Sequence, residues 1–352
     1  MDSTQPITSS IEAGTPSSAQ AQAQASREGV RGFDHPLVWL GALAALSLLA
    51  PYVPVSSRAS ALLGVLASTG LYVLFVVRLA SSAGRLFNVP RARPLWQVLA
   101  WCGGAVLLWA LSEFVFKPHL QQVLAPYGPN IPQSLRLIGL ANYTLRPLAL
   151  VAGATCGGVA LSRLVRYPNM LGPLAGVAAL VDIWGVLLGG IVSKLLTSPT
   201  SAPLAQKAMA PLPSIGGAHG AAGGGGLSIA SVGTGDFLFL GLFFGVLWTH
   251  SMNARAAERW TVPLVALALL AIALGVIPFL PGLLFIGLGA AIPNLKYLRY
   301  TREEKFALVY AAGFVALLTA GLYFAVSSQL QAAPRRPPGP HAPATARASS
   351  HS

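Results

Sequence analysis

Charge is what this sequence has least of. Charged residues fill 9% of its 352 positions, against roughly 25% in an ordinary soluble domain. With 54% hydrophobic residues, that excludes a soluble globular enzyme, a disordered chain and a coiled coil. Acids are scarcer still, ten Asp and Glu against 23 Lys and Arg. Cysteine is nearly missing. Cys102 and Cys156 both lie in apolar runs, which excludes a disulfide framework and a thiolate metal site. The six histidines are scattered over tails, loops and helix ends, and none makes HExxH or another zinc spacing. No metal and no cofactor are therefore expected. The first 34 residues are rich in Ser, Gln, Ala and Gly and lack an apolar h-region; they read as a disordered tail, not a signal peptide.

What the chain has instead is long apolar runs, and a bilayer-spanning helix needs about 20 such residues. Nine runs lie near 36–54, 59–77, 95–112, 143–161, 169–193, 228–250, 261–277, 279–294 and 305–326. The expected fold is an all-α, polytopic transmembrane bundle of about nine spans. The seventh and eighth runs are joined by Ile277-Pro278-Phe279-Leu280-Pro281-Gly282, either a tight hairpin or one broken helix. The expected organisation is a tail over 1–34, membrane helices over 35–167, a core over 168–295 containing a Gly/Pro-rich loop at 195–227, a last membrane helix over 296–330, and a Pro/Ala/Ser-rich tail over 331–352.

The formal charge of +13 does not point to nucleic acid. Its cations sit mostly at the ends of apolar runs, where the positive-inside rule and anionic lipid account for them. With nine crossings and a cytoplasmic N-terminus, Arg78, Arg85, Arg163, Arg166, Arg255 and Arg259 fall on the cytoplasmic side and the 195–227 loop falls outside. Arginine far outnumbers lysine and alanine is abundant, which points to a GC-rich bacterial genome and a bacterial cytoplasmic membrane.

Most of the acids lie in tails or at helix ends, where a solvated charge is sufficient explanation. Glu113 ends the third run with Lys117 one turn on, a spacing that predicts an interfacial i,i+4 pair. Asp182 and Asp236 differ. Asp182 sits near the middle of an uncharged run from Pro168 to Ser193, where a carboxylate costs at least about 2.5–3.5 kcal/mol on insertion scales. An ionisable group there is a functional candidate; the bland reading is a protonated Asp bonded to a neighbouring helix. Asp236 opens the run Phe237–Gly245, and on its own would be a helix N-cap. Counted at about 1.5 Å per residue from the outer ends of their runs, the two acids reach similar depth. Ala175, Ala178, Ala179, Gly185 and Gly189 line one side of the Asp182 helix, and small residues allow close helix approach in lipid.

Two facing carboxylates cannot both ionise near neutral pH, so the pair shares one proton. The ionised member takes a proton from water while the protonated member polarises a carbonyl. This splits an amide without a metal or a covalent intermediate. The other use of such acids is a proton or cation site in an ion-coupled transporter or channel, beside broken helices. A non-catalytic membrane scaffold is the plainest alternative.

Gly233-Thr234-Gly235-Asp236-Phe237 fits the pattern GxGD followed by an apolar helix. It resembles the second catalytic motif of the presenilin and signal peptide peptidase family of intramembrane aspartyl proteases. Val181-Asp182-Ile183 resembles the first motif, and Leu280-Pro281-Gly282-Leu283 resembles the family's Pro-Ala-Leu motif beside the active site. The order also matches, over residues 168–295. The resemblance implies a presenilin-like core in which Asp182 and Asp236 are the catalytic dyad. It also implies that Gly233, Gly235, Pro281, Gly282 and Leu283 contact substrate, a transmembrane helical peptide or membrane protein cleaved within the bilayer. Val181 stands where the family has Tyr, Gly282 stands where it has Ala, and four runs precede the first Asp where it has five spans. Prepilin peptidases share GxGD but follow each acid with charged residues, where this chain has Ile183 and Phe237. Physically, Gly233 and Gly235 allow close backbone approach and unusual dihedrals. Leu227–Val232 alternates as a short strand does, an edge to which an extended substrate can add. Pro281-Gly282 breaks a helix at the same level.

Overall fold

The computed structural model describes residues 35–54, 56–89, 94–127, 132–183, 207, 209–212, 231–273 and 281–310, with single positions at 313, 314, 317 and 321. The expected tails and most of the 195–227 loop, with Gly185 and Gly189, lie outside these residues.

The described chain is mostly helical. Its helices are α1 (Pro36–Leu49), α2 (Arg58–Asn88), α3 (Leu95–Leu111), α4 (Lys117–Leu124), α5 (Gln133–Ser162), α6 (Leu171–Ile183), α7 (Thr234–Thr249), α8 (Ala254–Ala273) and α9 (Gly282–Ala291). Residues 302–310 are also helical. Among the described residues three helices are long and apolar enough to cross a membrane, Ala59–Asn88, Leu95–Tyr127 and Gln133–Ser162; Pro36–Tyr52 and Thr234–Thr249 are shorter and apolar. Many large apolar side chains on α3 and α5, with Phe306, Val309, Tyr310, Phe314 and Leu317, face outward, which suits a lipid-facing surface.

Local chemistry sets the helix ends. Ser57 and Ser60 cap each other's backbone N–H groups at the start of α2, a reciprocal capping box. Asn253 accepts the N–H of Ala256 at the start of α8. Between α7 and α8 the chain turns through Ser251 at φ 52°, and Met252 N–H reaches back to the Leu247 carbonyl at 2.8 Å, closing the helix with a left-handed residue.

The boundaries read from hydropathy need correction. α2 continues past residue 77 through Arg78 and Arg85, because those guanidinium groups find partners at the end of the bundle. The third run continues beyond residue 112 through a π-helical segment, Ser112–Phe116, into α4. Pro118 follows at once and has no N–H to give the regular ladder. α5 begins at Gln133, ten residues before the apolar run, and accommodates Pro147. The seventh and eighth runs form an antiparallel pair rather than one broken helix. Asn253 N–H, at the start of α8, bonds the Asn294 side chain just past α9 at 2.8 Å, and Gly289 lies against Thr261.

α7 is the central helix. Phe243, Phe244, Val246 and Leu247 are fully buried on it. It crosses α5 at backbone contact: a Cβ on Gly158 would strike the Leu238 carbonyl, one on Gly241 the Thr155 carbonyl, and one on Gly245 the Ser162 hydroxyl. On its other side Gly84 of α2 approaches the Phe244 carbonyl, 3.0 Å from an added Cβ. Small residues permit the close approach, and packing then supplies the attraction.

Candidate functional site

Three segments that are far apart in sequence meet at the N-terminal end of α7. The first is the short sheet formed by β1 (Met209–Pro211) and β2 (Ser231–Gly233), antiparallel, with Met209 opposite Gly233 and Pro211 opposite Ser231. β2 runs directly into α7 with Gly233 as its extended N-cap residue (φ −70°, ψ 148°). Asp236 is therefore the third residue of the helix, and the Gly233 backbone N–H is within reach of its carboxylate.

The second segment is α6, which carries Asp182 on its last described turn. Ala175, Ala178 and Ala179 of α6 are buried, and an added Cβ on Gly287 of α9 would sit 3.3 Å from the Ala175 Cβ. The small-residue face thus receives α9, as its spacing suggests. The third segment is the start of α9. Pro281 is its N-cap and offers no side-chain cap. The Leu283 N–H instead donates to Asp182 Oδ2 at 2.7 Å. Gly282 faces the other acid, a Cβ there lying 3.4 Å from Asp236 Oδ1. Asp182 and Asp236 thus both lie against the Pro281-Gly282-Leu283 start of α9.

The glycines play a narrower part than unusual dihedrals would give them. Gly233 has an ordinary extended backbone, and neither Gly235 nor Gly282 falls in the left-handed region. Gly282 supplies room beside Asp236; Gly235 is exposed with open space around it. Of the expected strand Leu227–Val232, Ser231 and Val232 are strand, Gly233 extends it, and 227–230 lie outside the described residues. Its partner β1 falls inside a stretch read as loop. Met-Ala-Pro has no β-branched residue and no alternation, so nothing in its composition marks it.

Sequence reasoning also passed over Tyr72. It lies in the middle of α2, is 6% exposed, and shares the core with Leu240, Leu283 and Phe237, the residue after Asp236. Its hydroxyl has no hydrogen-bond partner among the described residues. A buried Tyr O–H normally has one, so a phenol within an apolar run was the available signal.

Glu113 departs from the simple interfacial pair expected of it. It is 3% exposed and lies among three cations: Lys117 at 3.2 Å, Arg146 at 2.8 Å and Lys207 at 3.7 Å. Arg146 also bonds the Lys207 carbonyl at 3.5 Å. Lys207 lies two residues before β1, so this cluster ties the sheet beside Asp236 to α5 and the third helix. Among the described residues no group of three His, Cys, Asp or Glu gathers to hold a metal ion.

Comparison with protein families, curated proteins and solved structures gives no match to this chain.

Proposed function

We propose that this chain is an intramembrane aspartyl endopeptidase of the bacterial cytoplasmic membrane, built as a polytopic, presenilin-like bundle of about nine spans. Asp182 and Asp236 are its catalytic dyad. The observation that carries the reading is the convergence on one turn: the Leu283 N–H on Asp182 Oδ2 at 2.7 Å, with Gly282 against Asp236. Two scarce acids and a helix-breaking Pro-Gly, each from a different part of the chain, share one location.

The chemistry is general acid–base hydrolysis. The ionised carboxylate takes a proton from water, whose oxygen attacks the scissile carbonyl carbon. The protonated carboxyl gives its proton to the carbonyl oxygen. Collapse of the tetrahedral gem-diol breaks the C–N bond, the amine leaves with a proton, and the dyad returns to its shared-proton state. The substrate is an unwound transmembrane segment. β2 leads directly to Asp236, so an extended peptide added to this sheet arrives at the dyad in register, with Gly233, Gly235, Pro281, Gly282 and Leu283 around it. Non-helical backbone at this depth is tolerated where it lines a wet cavity.

The test is cleavage by the purified full chain in lipid vesicles, offered single-span helical peptides and read by mass spectrometry. Cleavage within the span, lost in both Asp182→Asn and Asp236→Asn, is the expected result. Cleavage that survives in either variant overturns the dyad. A folded protein that cleaves nothing, yet carries a proton flux lost in Asp182→Asn, shifts the assignment to an ion-coupled transporter or channel.

A further inference from the structure

At the end of α7 opposite Asp236, four arginines converge on a pocket. Arg78 and Arg85 lie on α2 two turns apart, and Arg255 and Arg259 lie on α8 one turn apart. All four line a cavity of about 120 Å³, several times the ~10–15 Å³ that one water needs. Among the described residues that line it, one carboxylate, Glu258, faces the four guanidinium groups. It pairs with Arg78 at 3.1 Å, so four guanidinium groups stand against one carboxylate in the lining.

The walls hold the arginines in place. Arg78 lies 5.8 Å from the centre of the Trp39 ring and Arg85 5.6 Å from that of Trp248; such stacking fixes a guanidinium plane. Ser81, also in the lining, accepts the Trp248 indole N–H at 3.2 Å and so holds that ring in place. α8 adds the positive end of its dipole, since Arg255 and Glu258 are in its first turns. The end of the bundle is marked nearby by polar contacts between helix termini, Arg163 with Asn88 and Asn169 with Arg299.

We infer that this pocket binds a phosphate group, and that its ligand is the phosphodiester headgroup of an anionic lipid lying against the end of the bundle. Paired guanidinium forks match phosphate oxygens bidentately, and basic pockets between membrane helices are lipid-headgroup sites. The stacked tryptophans suit the same depth, where indole rings gather at the membrane–water interface. The site rests on the reading of the chain as bilayer-embedded and is independent of proteolysis.

The test uses the full chain in nanodiscs of mixed phosphatidylcholine and phosphatidylglycerol, with retained lipids counted by native mass spectrometry. Phosphatidylglycerol should be retained at least about tenfold in preference to phosphatidylcholine. Arg255→Gln/Arg259→Gln should lower that preference about tenfold, while Glu258→Gln, which removes the lining acid, should raise it. These opposite signs separate recognition from simple damage to the fold. Added inorganic phosphate that displaces the lipid supports the pocket and makes soluble phosphates an equal source. Lipid that resists displacement supports the headgroup itself. Equal retention of the two lipids, or an unchanged preference in the double arginine variant, overturns the pocket. A protein that stays in water without detergent overturns the membrane reading instead.

Discussion

The contact of α5 with α7 can be tested at two adjacent glycines. Among the described residues a Cβ on Gly157 meets only the Cys102 sulfur, at 3.6 Å, an ordinary contact. A Cβ on Gly158 meets backbone: the Leu238 carbonyl inside van der Waals contact and the Leu242 nitrogen at 2.7 Å. Backbone of a central helix cannot rotate aside as a side chain does. Gly158→Ala must therefore push α5 and α7 apart, and α7 carries Phe243, Phe244 and Leu247 in the best-buried part of the core. Overpacking a core costs about 1–3 kcal/mol, and a clash with backbone belongs at the upper end, about 3 kcal/mol. Gly157→Ala should instead gain about 0.5–1 kcal/mol, because alanine loses less freedom in a helix. The expected gap between neighbouring substitutions is thus about 3–4 kcal/mol. Equilibrium unfolding in mixed micelles, titrated with denaturing detergent, measures it. Two variants within about 0.5 kcal/mol of each other would refute the close crossing.

Other substitutions test the site. Tyr72→Phe removes a buried hydroxyl with no partner among the described residues, whose desolvation costs about 1–3 kcal/mol, so its melting temperature should hold or rise; a loss of more than about 1 kcal/mol means the hydroxyl is bonded in the folded protein. Gly282→Ala restores the alanine of the resembled motif. Its Cβ stands 3.4 Å from Asp236 Oδ1, so stability should rise by about 0.4–1 kcal/mol with peptide cleavage within a few-fold of wild type, whereas Gly282→Leu should abolish cleavage by displacing Asp236. Glu113→Gln leaves three cations without their shared anion; because those cations are partly exposed, the cost should be about 2 kcal/mol, below the ~3–5 of a fully buried pair. Hydrogen exchange should then quicken at Met209, Ala210 and Leu212 ahead of α7, and uniform quickening would sink the anchoring role.

What could be read in the sequence follows from the range of each interaction. Asp182, Asp236 and Pro281-Gly282 stood out because each breaks an apolar run, and composition alone reveals that. The face of Ala175, Ala178 and Ala179 was visible because helical periodicity is local. Helix ends were misread where charge continued a helix: hydropathy stops at Arg78, but the helix continues because Glu258, 180 positions later, supplies a partner. β1 was invisible for the same reason. Met-Ala-Pro has no strand preference of its own, and its structure depends on pairing with Ser231–Gly233. The burial of Glu113 was missed because Lys117 already gave it a local partner, while Arg146 and Lys207 arrive only through the fold.

One contact leaves two roles open for Asp182, and they can be separated. Leu283 is the second residue of α9, so its N–H is among those the helix cannot satisfy itself. Pro281 provides no cap, and Asp182 Oδ2 does so from another helix at 2.7 Å. Asp182 thus has structural work whatever its chemistry, and an alanine there confounds the two. Asn keeps an acceptor oxygen of the same reach. Asp182→Asn should retain the cap as a neutral bond and lose only the charged share, about 1 kcal/mol on the difference between charged and neutral acceptors. Asp182→Ala leaves the buried N–H unpaired and should lose about 2 kcal/mol. If Asp182 only caps, cleavage follows stability and Asn performs nearly as wild type. If it belongs to the dyad, Asn folds close to normally and cleaves no better than Ala, since an amide can neither take the proton from water nor hold the one the pair shares. Measuring unfolding and cleavage on the same two variants decides between them, and a folded, active Asp182→Asn protein would end the dyad assignment.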